Sequence, residues 1–411
     1  MASPSRHRAE AARWLTASQV LATLHRRPGI TRAAMAAELQ LTSGFATEIT
    51  ARLRDLRLLT ETPAPARGRG RPTTVLRPHP EGPVVLAVDL RQEDWRHAVA
   101  TIDGQVHEVR HRSHRTREPA TVLAAVRHSV EATRNRYGAR LRAVSLAVAG
   151  TIHDGHLVQA ATLGWRSVDL TTITAGTDLP LLLGNDATLA GVAEARTGAA
   201  VAAGAAVAAG TALHLIVGVG IGGTLTIAGV PVTGAHGAAG EYGHLPFGDR
   251  EQRCPCGARG CWDLDVDGRG LARHLGESPP ADPRRYAGQV LDRCAVDPRA
   301  RQAVRAVATS LGIGIAGLAN IHDPDLITLG GLGPALRHAA AEAFDTAYTD
   351  GLMTLHRARP PSVVDAAHGD EGSLRGAAIV GLDHITGQSA LAEWVRTLAT
   401  PPGDVAPTIS G

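Results

Sequence analysis

One histidine and three cysteines have the residue types and the spacing of a zinc site: His244, followed by Cys254, Cys256 and Cys261. Zinc prefers thiolate and imidazole ligands arranged as a tetrahedron. The proline and glycines between the cysteines allow sharp turns that bring neighbouring thiolates to one ion. Four protein ligands leave no open position for water, so the predicted zinc is structural rather than catalytic. The alternative is a glycine-rich loop of reduced cysteines without a metal.

The spacing of the cysteines and the hydropathy of the chain bear on the cellular compartment of the protein. Three of the four cysteines fall within eight residues, whereas the disulfide framework of a secreted protein scatters more of them. Cys294 follows a helical pattern and is interpreted as a core thiol. The first residues lack the apolar segment of a signal peptide, and no uninterrupted apolar run is long enough to span a bilayer. We therefore expect a cytoplasmic protein with no membrane partner.

Basic charge is concentrated towards the N-terminus. All 42 of the Lys and Arg residues are arginines, and the formal net charge of the 411-residue chain is only +3. Residues 1–80 are rich in Arg and His, and Arg67, Arg69 and Arg71 fall within five residues. A local basic face attracts phosphate backbones even when the whole protein is near neutral.

Residues 14–59 have the periodicity of three short helices. Thr31 is a candidate N-cap of the second helix, and Thr42 or Ser43 of the third. One face of the third helix carries the apolar residues Phe45, Ile49 and Leu53. The opposite face is predicted to expose Ser43, Thr47, Glu48, Thr50, Arg52 and Arg54. A hairpin that pairs residues 58–59 with 73–76 completes a winged helix-turn-helix.

From residue 83 onward, buried strands alternate with helices, which is typical of an α/β body. A helix is predicted over 118–137. The strand candidates are 84–90, 143–150, 179–186, 212–223 and 325–333. The Pro/Gly-rich tail over 398–411 is predicted to be disordered.

Three segments together resemble the signature of the ROK family, which groups repressors with sugar kinases. They are G-I-G-G-T-L from Gly220, G-A-A-G-E-Y-G-H ending at His244, and C-P-C-G-A-R-G-C from Cys254. Asn185-Asp186 matches the family's Asn-Asp, and the resemblance covers 84–385. The family implies a two-lobed actin-like ATPase (ribonuclease H-like) domain behind the winged helix of its repressor members.

The domain boundaries expected from this resemblance are as follows. Residues 1–80 form the winged helix-turn-helix, with an Arg/Gly/Pro wing. Lobe 1 covers 83–200, and a C-terminal helix over 372–397 returns to it. Lobe 2 covers 201–371 and includes the zinc loop 244–261.

The resemblance implies a sugar site. The Asp matching Asp186 is the base that takes a proton from the sugar hydroxyl in family kinases. The matches to Asn185, Glu241 and His244 hold sugar hydroxyls, and Gly150-Thr151 lines the same cleft. His244 can serve zinc through one ring nitrogen and sugar through the other. For each of these residues the alternative is a solvated loop or a cap, and for Asp186 it is the N-cap of a helix.

Two departures from the family pattern bear on catalysis and on sugar choice. Asp263 stands where the family has Glu, whose side chain is one methylene longer. The contact between this carboxylate and the sugar therefore becomes longer or favours a different sugar. Family kinases open the first strand with Asp-x-Gly-Gly-Thr, a bare turn that lets amides approach phosphates. Here the sequence from Asp89 to Asp94 reads D-L-R-Q-E-D, and Val219 replaces a hydroxyl residue in the second phosphate turn. We expect no ATP and no catalysis, with Asp186 a vestigial base.

The N-terminal helices are expected to bind operator DNA. The candidate contacts to base edges or phosphates are Thr42, Ser43, Thr47, Glu48 and Arg52. Arg67, Arg69 and Arg71 are suited to entering a minor groove as the wing. The alternatives are a protein-interaction module for the helices and a solvated linker for the wing.

The sequence thus predicts a DNA-binding regulator that a sugar releases from its operator, with structural zinc. A homodimer or a dimer of dimers is implied by the family. Two other interpretations stay open: an ATP-dependent sugar kinase of the glucose or N-acetylhexosamine type with a DNA-binding head, and a regulator that answers to a protein partner.

Overall fold

The computed structural model describes residues 4–64, 74–160 and 163–399. Three helices and a hairpin form the N-terminal domain, residues 4–64 and 74–78. They are α1 (Pro4–Arg26), α2 (Arg32–Glu38), α3 (Ser43–Asp55) and the antiparallel strands β1 (Leu59–Pro63) and β2 (Thr74–Pro78). The side chains of Thr31 and Thr42 cap α2 and α3, as predicted. The predicted wing residues Arg67, Arg69 and Arg71 lie outside the described residues.

Thr50 of α3 faces the opposite way from the prediction. It is fully buried, and its hydroxyl donates a hydrogen bond to the carbonyl of Ala46 at 2.8 Å. Residues four apart share a helix face, and Ala46, Ile49 and Leu53 pack into the core of this domain. The exposed face of α3 is therefore narrower than the sequence predicted.

Lobe 1, residues 84–197 and 372–385, is built on a five-stranded sheet. Its strands are β3 (Val84–Leu90), β4 (Asp94–Thr101), β5 (Val106–Ser113), β6 (Leu141–Val148) and β10 (Leu181–Asn185). Helix α4 (Pro119–Tyr137) covers one face, and α5 (Asp186–Thr197) and α14 (Gly372–Ile385) cover the other. A small antiparallel sheet contains β7 (Thr151–His153), β8 (His156–Ala160) and β9 (Trp165–Asp169).

Lobe 2, residues 199–365, carries a second five-stranded sheet. Its strands are β11 (Thr211–Gly218), β12 (Gly220–Ile227), β13 (Val230–Pro231), β14 (Leu326–Gly331) and β15 (Ser362–Asp365). Its helices are α6 (Ala199–Ala202), α7 (Ala205–Ala208), α8 (Gly268–Leu275), α9 (Pro283–Arg293), α10 (Pro298–His322), α11 (Gly333–Ala339), α12 (Ala341–Gly351) and α13 (Thr354–Ala358).

The two large sheets have the same plan. Their strand orders are β10-β6-β3-β4-β5 and β13-β12-β11-β14-β15. In each sheet the first strand, β3 or β11, pairs antiparallel with the strand that follows it and parallel with a later one. This repeat confirms the predicted fold class, an α/β body of two actin-like lobes behind a winged helix-turn-helix.

Helix α10 contradicts the expectation that no apolar run could cross a bilayer. By length and composition it is apolar enough to do so, and it is the one such helix among the described residues. More than half of its most apolar window is buried inside the protein, where it packs against α8 and α12. Core helices commonly pass the same test, so this property is weak support for a membrane span.

The C-terminal helix predicted over 372–397 is two helices, α14 and α15 (Gln388–Ala399). Helix α14 returns to lobe 1, whereas α15 packs on the N-terminal domain. Leu391 and Trp394 are buried in the core of that domain, and the indole N–H of Trp394 donates to the carbonyl of Leu56 at 2.8 Å. Residues 400–411, most of the predicted tail, lie outside the described residues.

Candidate ligand cleft and metal centre

The four predicted metal ligands lie together in the segment between β13 and α8. The ligand atoms of His244, Cys254, Cys256 and Cys261 are all within 4.8 Å of one another. Nδ1 of His244 is 3.8 Å from Sγ of Cys254, and the Sγ atoms of Cys256 and Cys261 are 3.6 Å apart. A tetrahedral zinc with Zn–S bonds of ~2.3 Å separates its sulfurs by about 3.8 Å. Donor types and spacing therefore fit a zinc ion.

Glycine turns give this loop its shape. Gly257 and Gly260 have φ angles of +101° and +72°, a region that side chains rarely adopt. The amide of Cys254 donates to the carbonyl of Ala258 at 2.9 Å and closes the first turn. Cys294 lies at the end of α9, where its thiol donates to the Val290 carbonyl at 3.4 Å; it is half-buried at the margin of the lobe 2 core rather than inside it as predicted.

The predicted sugar residues lie where the ends of β6 and β10 face the segment before the metal loop. The amide of Asn185 donates to the carbonyl of Gly150 at 3.1 Å and so ties the two strand ends together. The hydroxyl of Thr151 donates to Oε1 of Glu241 at 3.4 Å, and Oε2 of Glu241 is 3.8 Å from Nε2 of His244. Hydroxyl, carboxylate, amide and imidazole groups thus converge across the two lobes, a set suited to binding neighbouring hydroxyls.

Asp186 begins α5, but the capping role belongs to its neighbour. Oδ1 of Asn185 accepts the hydrogen bond from the Thr188 amide at 3.1 Å. Burial raises the pKa of Asp186 to about 6, and the nearby carboxylates of Asp89 and, more weakly, Glu241 add to the effect. Hydrogen bonds from the backbone amides of Ala187 and of Asp186 itself act in the opposite direction and lower this pKa.

Asp263 occupies a different part of the site from Thr151 and Glu241. Its Oδ1 accepts a hydrogen bond from the Ile221 amide at 2.6 Å. Its Oδ2 is 3.5 Å from Nδ1 of His244, the nitrogen that faces Cys254. The missing side chain of Gly243 makes this approach possible, since a Cβ there would lie 1.8 Å from Oδ1 of Asp263. Asp263 thus backs the imidazole on its metal side.

The turn that follows β3 is closed by its own side chains. Arg91 donates to both carboxylate oxygens of Asp94 at 2.7 and 2.9 Å, and the Arg91 amide donates to the Asp94 carbonyl. Asp89 is buried, and Oδ2 accepts a hydrogen bond from Arg96 at 2.6 Å. Burial raises the pKa of Asp89 against the opposing effect of Arg96. Arg96 also donates to the Asp370 carbonyl.

The glycine turn between β11 and β12 has its amides occupied by carboxylates. The amide of Gly220 donates to Oδ2 of Asp267 at 2.9 Å, as that of Ile221 does to Asp263. Asp267 is fully buried and also pairs with Arg269 at 2.7 Å. These N–H groups are the kind that bind phosphates at such turns, and here they already have anionic acceptors.

Helix α3 presents the predicted DNA contacts on its exposed face, with one exception. Four of them, Thr42, Ser43, Thr47 and Glu48, are exposed. The guanidinium of Arg52 instead lies over the Trp14 ring, 4.6 Å from its centroid, an arrangement that favours cation–π attraction. Arg52 must leave this ring if it is to reach a base.

The sequence model of the ROK family matches residues 85–383. The chain belongs to the ROK family. The match includes both lobes and the metal loop, so the cleft and the loop lie inside the family domain.

Sequence relatives of this ROK chain include sugar kinases. The N-acetyl-D-glucosamine kinase of Pectobacterium carotovorum is 34% identical over 186 residues, which is 41% of this chain and 58% of the relative. The N-acetyl-D-glucosamine kinase of Shigella flexneri is 33% identical over 183 residues, with the same coverage. The chain spans less than two thirds of the length of these relatives.

Solved structures of both a regulator and a kinase are similar to this chain. A ROK family transcriptional regulator, a homolog of the E. coli MLC protein, matches with a TM-score of 0.72 and 21% identity, over 94% of this chain and 99% of the other. The ROK hexokinase of Thermus thermophilus matches with a TM-score of 0.60 and 26% identity, over 74% and 99%. The regulator comparison extends over the N-terminal domain as well, and at this identity it shows the fold alone.

Sequence reasoning missed two residues that shape the nucleotide side of this ROK cleft. Arg96 stands directly opposite Asp89 in the β3–β4 pairing, so the hairpin register was the signal that could have identified it. Asp267 is six residues beyond Cys261, and no spacing rule points from it to Gly220. Only the folded structure shows that Asp267 accepts a hydrogen bond from the Gly220 amide.

Proposed function

We propose that this ROK chain is a sugar-responsive, DNA-binding transcriptional regulator, a repressor that sugar releases from its operator. The observation that carries the proposal is the occupation of both phosphate turns by the chain's own groups. Arg91 and Asp94 close the first turn, and Asp263 and Asp267 take the amides of the second. A triphosphate would have to displace the partly buried Arg91–Asp94 pair at the first turn and the carboxylates that hold the amides of Gly220 and Ile221 at the second.

The sugar-binding set in this proposal spans both lobes. It contains Gly150, Thr151, Asn185, Asp186, Glu241, His244 and Asp263. Glu241 and Asp186 accept hydrogen bonds from sugar hydroxyls, and the amide of Asn185 donates one. Because Thr151 and Glu241 belong to different lobes, a sugar bound between them favours lobe closure.

A structural zinc would be held by His244, Cys254, Cys256 and Cys261. These four side chains would share one ion, which would cross-link the Cys-rich loop and fix the orientation of the imidazole. Nδ1 is the nitrogen on the cysteine side, which leaves Nε2 to face Glu241 and the sugar. The carboxylate of Asp263 lies 3.5 Å from Nδ1 of the His244 ring.

The DNA-binding surface comprises the exposed face of α3 and the wing. Its proposed contacts are Thr42, Ser43, Thr47, Glu48, Arg52, Arg67, Arg69 and Arg71. Operator DNA would bind a homodimer or a dimer of dimers in the cytoplasm. Large apolar side chains are exposed on and beside α10, among them Ile313, Ile321 and Leu355, and a second copy would cover such a face. The proposed domain bounds are 1–80 with the added helix 388–399, 83–200 with 372–385, and 201–371.

The direct test is a sugar screen followed by DNA binding. Duplexes that the chain retains from a random-sequence pool would serve as operator probes. A thermal-shift screen with glucose, N-acetylglucosamine, N-acetylmannosamine and xylose would identify the effector. We expect the effector sugar to weaken binding to the selected duplex by about 5–150-fold. Selective DNA binding that no stabilising sugar alters would contradict the sensor role, and failure to bind DNA would contradict the proposal outright.

The second candidate is an ATP-dependent sugar kinase, which the N-acetylglucosamine kinase relatives and the raised pKa of Asp186 favour. We expect no ATP-dependent phosphorylation of any of the four sugars. Turnover that Asp186→Asn abolishes would overturn the regulator proposal. A regulator that answers to a protein partner instead would show no calorimetric heat with any sugar.

A further inference from the structure

Strand β5 is the outer strand of the lobe 1 sheet, and its exposed surface is strongly basic. It pairs with β4 on one side, and no strand of the described chain pairs with its other side. Four arginines follow one another here with exposed side chains, and we call them the arginine edge: Arg110, Arg112, Arg115 and Arg117. Between residues 106 and 117 the only carboxylate belongs to Glu108, which pairs with Arg136.

None of these four arginines forms an ion pair within the part of the chain that the structure describes. Their charge acts on the sheet beneath: burial together with Arg112 and Arg110 lowers the pKa of His97 to about 4. Some other arginines of lobe 1 form ion pairs, among them Arg91 with Asp94 and Arg136 with Glu108. The arginine edge is therefore a local concentration of uncompensated positive charge.

The backbone that carries the edge is held in place. Pairing with β4 sets residues 106–113, and the amide of His114 donates to the Glu93 carbonyl at 2.8 Å. The carbonyl of Arg117 accepts a hydrogen bond from the Trp165 indole at 2.7 Å. The guanidinium groups thus project from a fixed support.

The near end of β5 touches the N-terminal domain. The β4–β5 turn packs on α1, where a Cβ added to Gly104 would lie only 2.2 Å from Cδ2 of His25. Ile102 of the same turn is buried in the core of the N-terminal domain. Eight strand residues at ~3.4 Å each span about 25 Å, less than one turn of duplex DNA. Strand β5 therefore leads away from the N-terminal domain, and Arg110 and Arg112 lie in its second half, within a distance that DNA flanking a site on α3 also covers.

We propose that the arginine edge binds the phosphate backbone of duplex DNA beside the site held by α3, an inference that rests on the proposed function. Arginine guanidiniums and the outward amides of β5 are the donors that phosphates accept from. The chemistry of the surface favours DNA over a protein partner, because protein interfaces have apolar cores whereas DNA interfaces are polar and positive. Val109 is the one large apolar side chain exposed on the described strand.

The test compares two triple variants of the full chain that remove equal charge. Arg110→Gln/Arg112→Gln/Arg115→Gln alters the edge. Its control, Arg285→Gln/Arg305→Gln/Arg359→Gln, alters three exposed arginines of lobe 2 that form no ion pair among the described residues. Anisotropy with a labelled 40-base-pair duplex, repeated from 50 to 300 mM salt, gives the affinity and its salt dependence.

We expect the edge variant to bind DNA at least tenfold more weakly at 100 mM salt. The magnitude of its slope of log K against log salt should fall by about 2–3, because each of the three lost phosphate contacts contributes ~0.9 to that slope. The control should match the unmodified chain. Equal slopes for edge variant and control would overturn the inference. The inference would also be overturned if the edge arginines were needed to bind polyglutamate but not DNA, which would indicate an acidic protein partner. Self-association of the edge variant with unchanged DNA binding would overturn it too, and would indicate that the arginines prevent pairing of β5 with another strand. An unmodified chain that binds no DNA would instead contradict the proposed function.

Discussion

At the scale of single residues, the nucleotide side of the cleft is distinguished by carboxylates that already have partners. Asp89 accepts from Arg96 at 2.6 Å, and its other oxygen has no hydrogen-bond partner among the described atoms. Asp263 and Asp267 take the amides of the second turn. Asp186 differs, because among the described residues its carboxyl pairs with no cation and takes hydrogen bonds only from local backbone amides, those of Ala187 and Asp186 itself. The carboxylates at the phosphate turns are thus held by other parts of the chain, whereas Asp186 is not.

Asp186→Asn should stabilise the ligand-free chain near neutral pH and weaken sugar binding. The folded chain raises the pKa of Asp186 from 3.8 to about 6, so it holds this proton more tightly than the unfolded chain does. The ionised carboxyl therefore opposes folding increasingly as the pH rises from about 4 to 6, by roughly 1–3 kcal/mol in full. Thermal melts at pH 4 and pH 7.5 should show the gain of the variant only at the higher pH. Equal gains at both would contradict this assignment.

Removal of the metal should loosen the sugar site. Cys256→Ser removes one thiolate at an exposed position. We expect this variant to lose its zinc and about 2 kcal/mol of folding free energy, which lowers the melting temperature by about 4–8 °C. We also expect it to bind sugar at least tenfold more weakly. Cys294→Ser is the matched control and should keep one zinc per chain. Elemental analysis and thermal melts would measure both. Full zinc content in Cys256→Ser would show that Cys256 is not a required zinc ligand.

At the scale of elements, α5 and α14 connect the cleft to the N-terminal domain. Helix α5 begins at the cleft with Asp186 and ends near Arg196, whose guanidinium pairs with Asp383 of α14 at 2.9 Å. The end of α14 contacts α1, where the hydroxyl of Ser18 donates to the Thr386 carbonyl at 2.6 Å. A shift of α5 on sugar binding would therefore reach α1 through the close packing of α5 on α14, the Arg196–Asp383 pair and the Ser18–Thr386 hydrogen bond.

Arg196→Met should separate the two binding events without removing either. We expect sugar affinity and DNA affinity each to stay within about threefold, while the factor by which sugar weakens DNA binding falls from 5–150-fold to about twofold. Arg127→Met is the control, because Arg127 forms an exposed pair with Glu131 on α4, away from this route. DNA titrations with and without effector sugar measure the factor. Unchanged coupling in Arg196→Met would rule out the Arg196–Asp383 pair as the link between the two helices.

The elements themselves were largely predictable, because each has a strong local pattern. Threonine caps located α2 and α3, and buried apolar runs located β3, β6 and β14. The break at Thr386-Gly387 was not predictable, since α15 turns away to bury Trp394 in the N-terminal domain, a tertiary contact without local signal. The metal ligands followed from residue type and spacing, whereas the partners of Asp89 and Gly220 needed strand register and loop packing.

At the scale of the whole molecule, the two lobes and the N-terminal domain form one connected structure with the cleft between the lobes. The carbonyl of Asp370 accepts from Arg96 of lobe 1, while its carboxylate pairs with Arg284 of lobe 2 at 2.9 Å. Buried Glu194 of α5 accepts hydrogen bonds from the amides of Ala367 and His368. The junction between the lobes is thus held by charges from both sides, and lobe movement is the motion that sugar can bias.

The central claim is that this cleft binds sugar but no triphosphate. A crystal of the full chain soaked with ATP and magnesium tests it directly. We predict that the Arg91–Asp94 pair stays closed, that Asp263 and Asp267 keep the amides of Ile221 and Gly220, and that no triphosphate is ordered. An ordered triphosphate lying against residues 90–93, with the Arg91–Asp94 pair opened, would contradict the account.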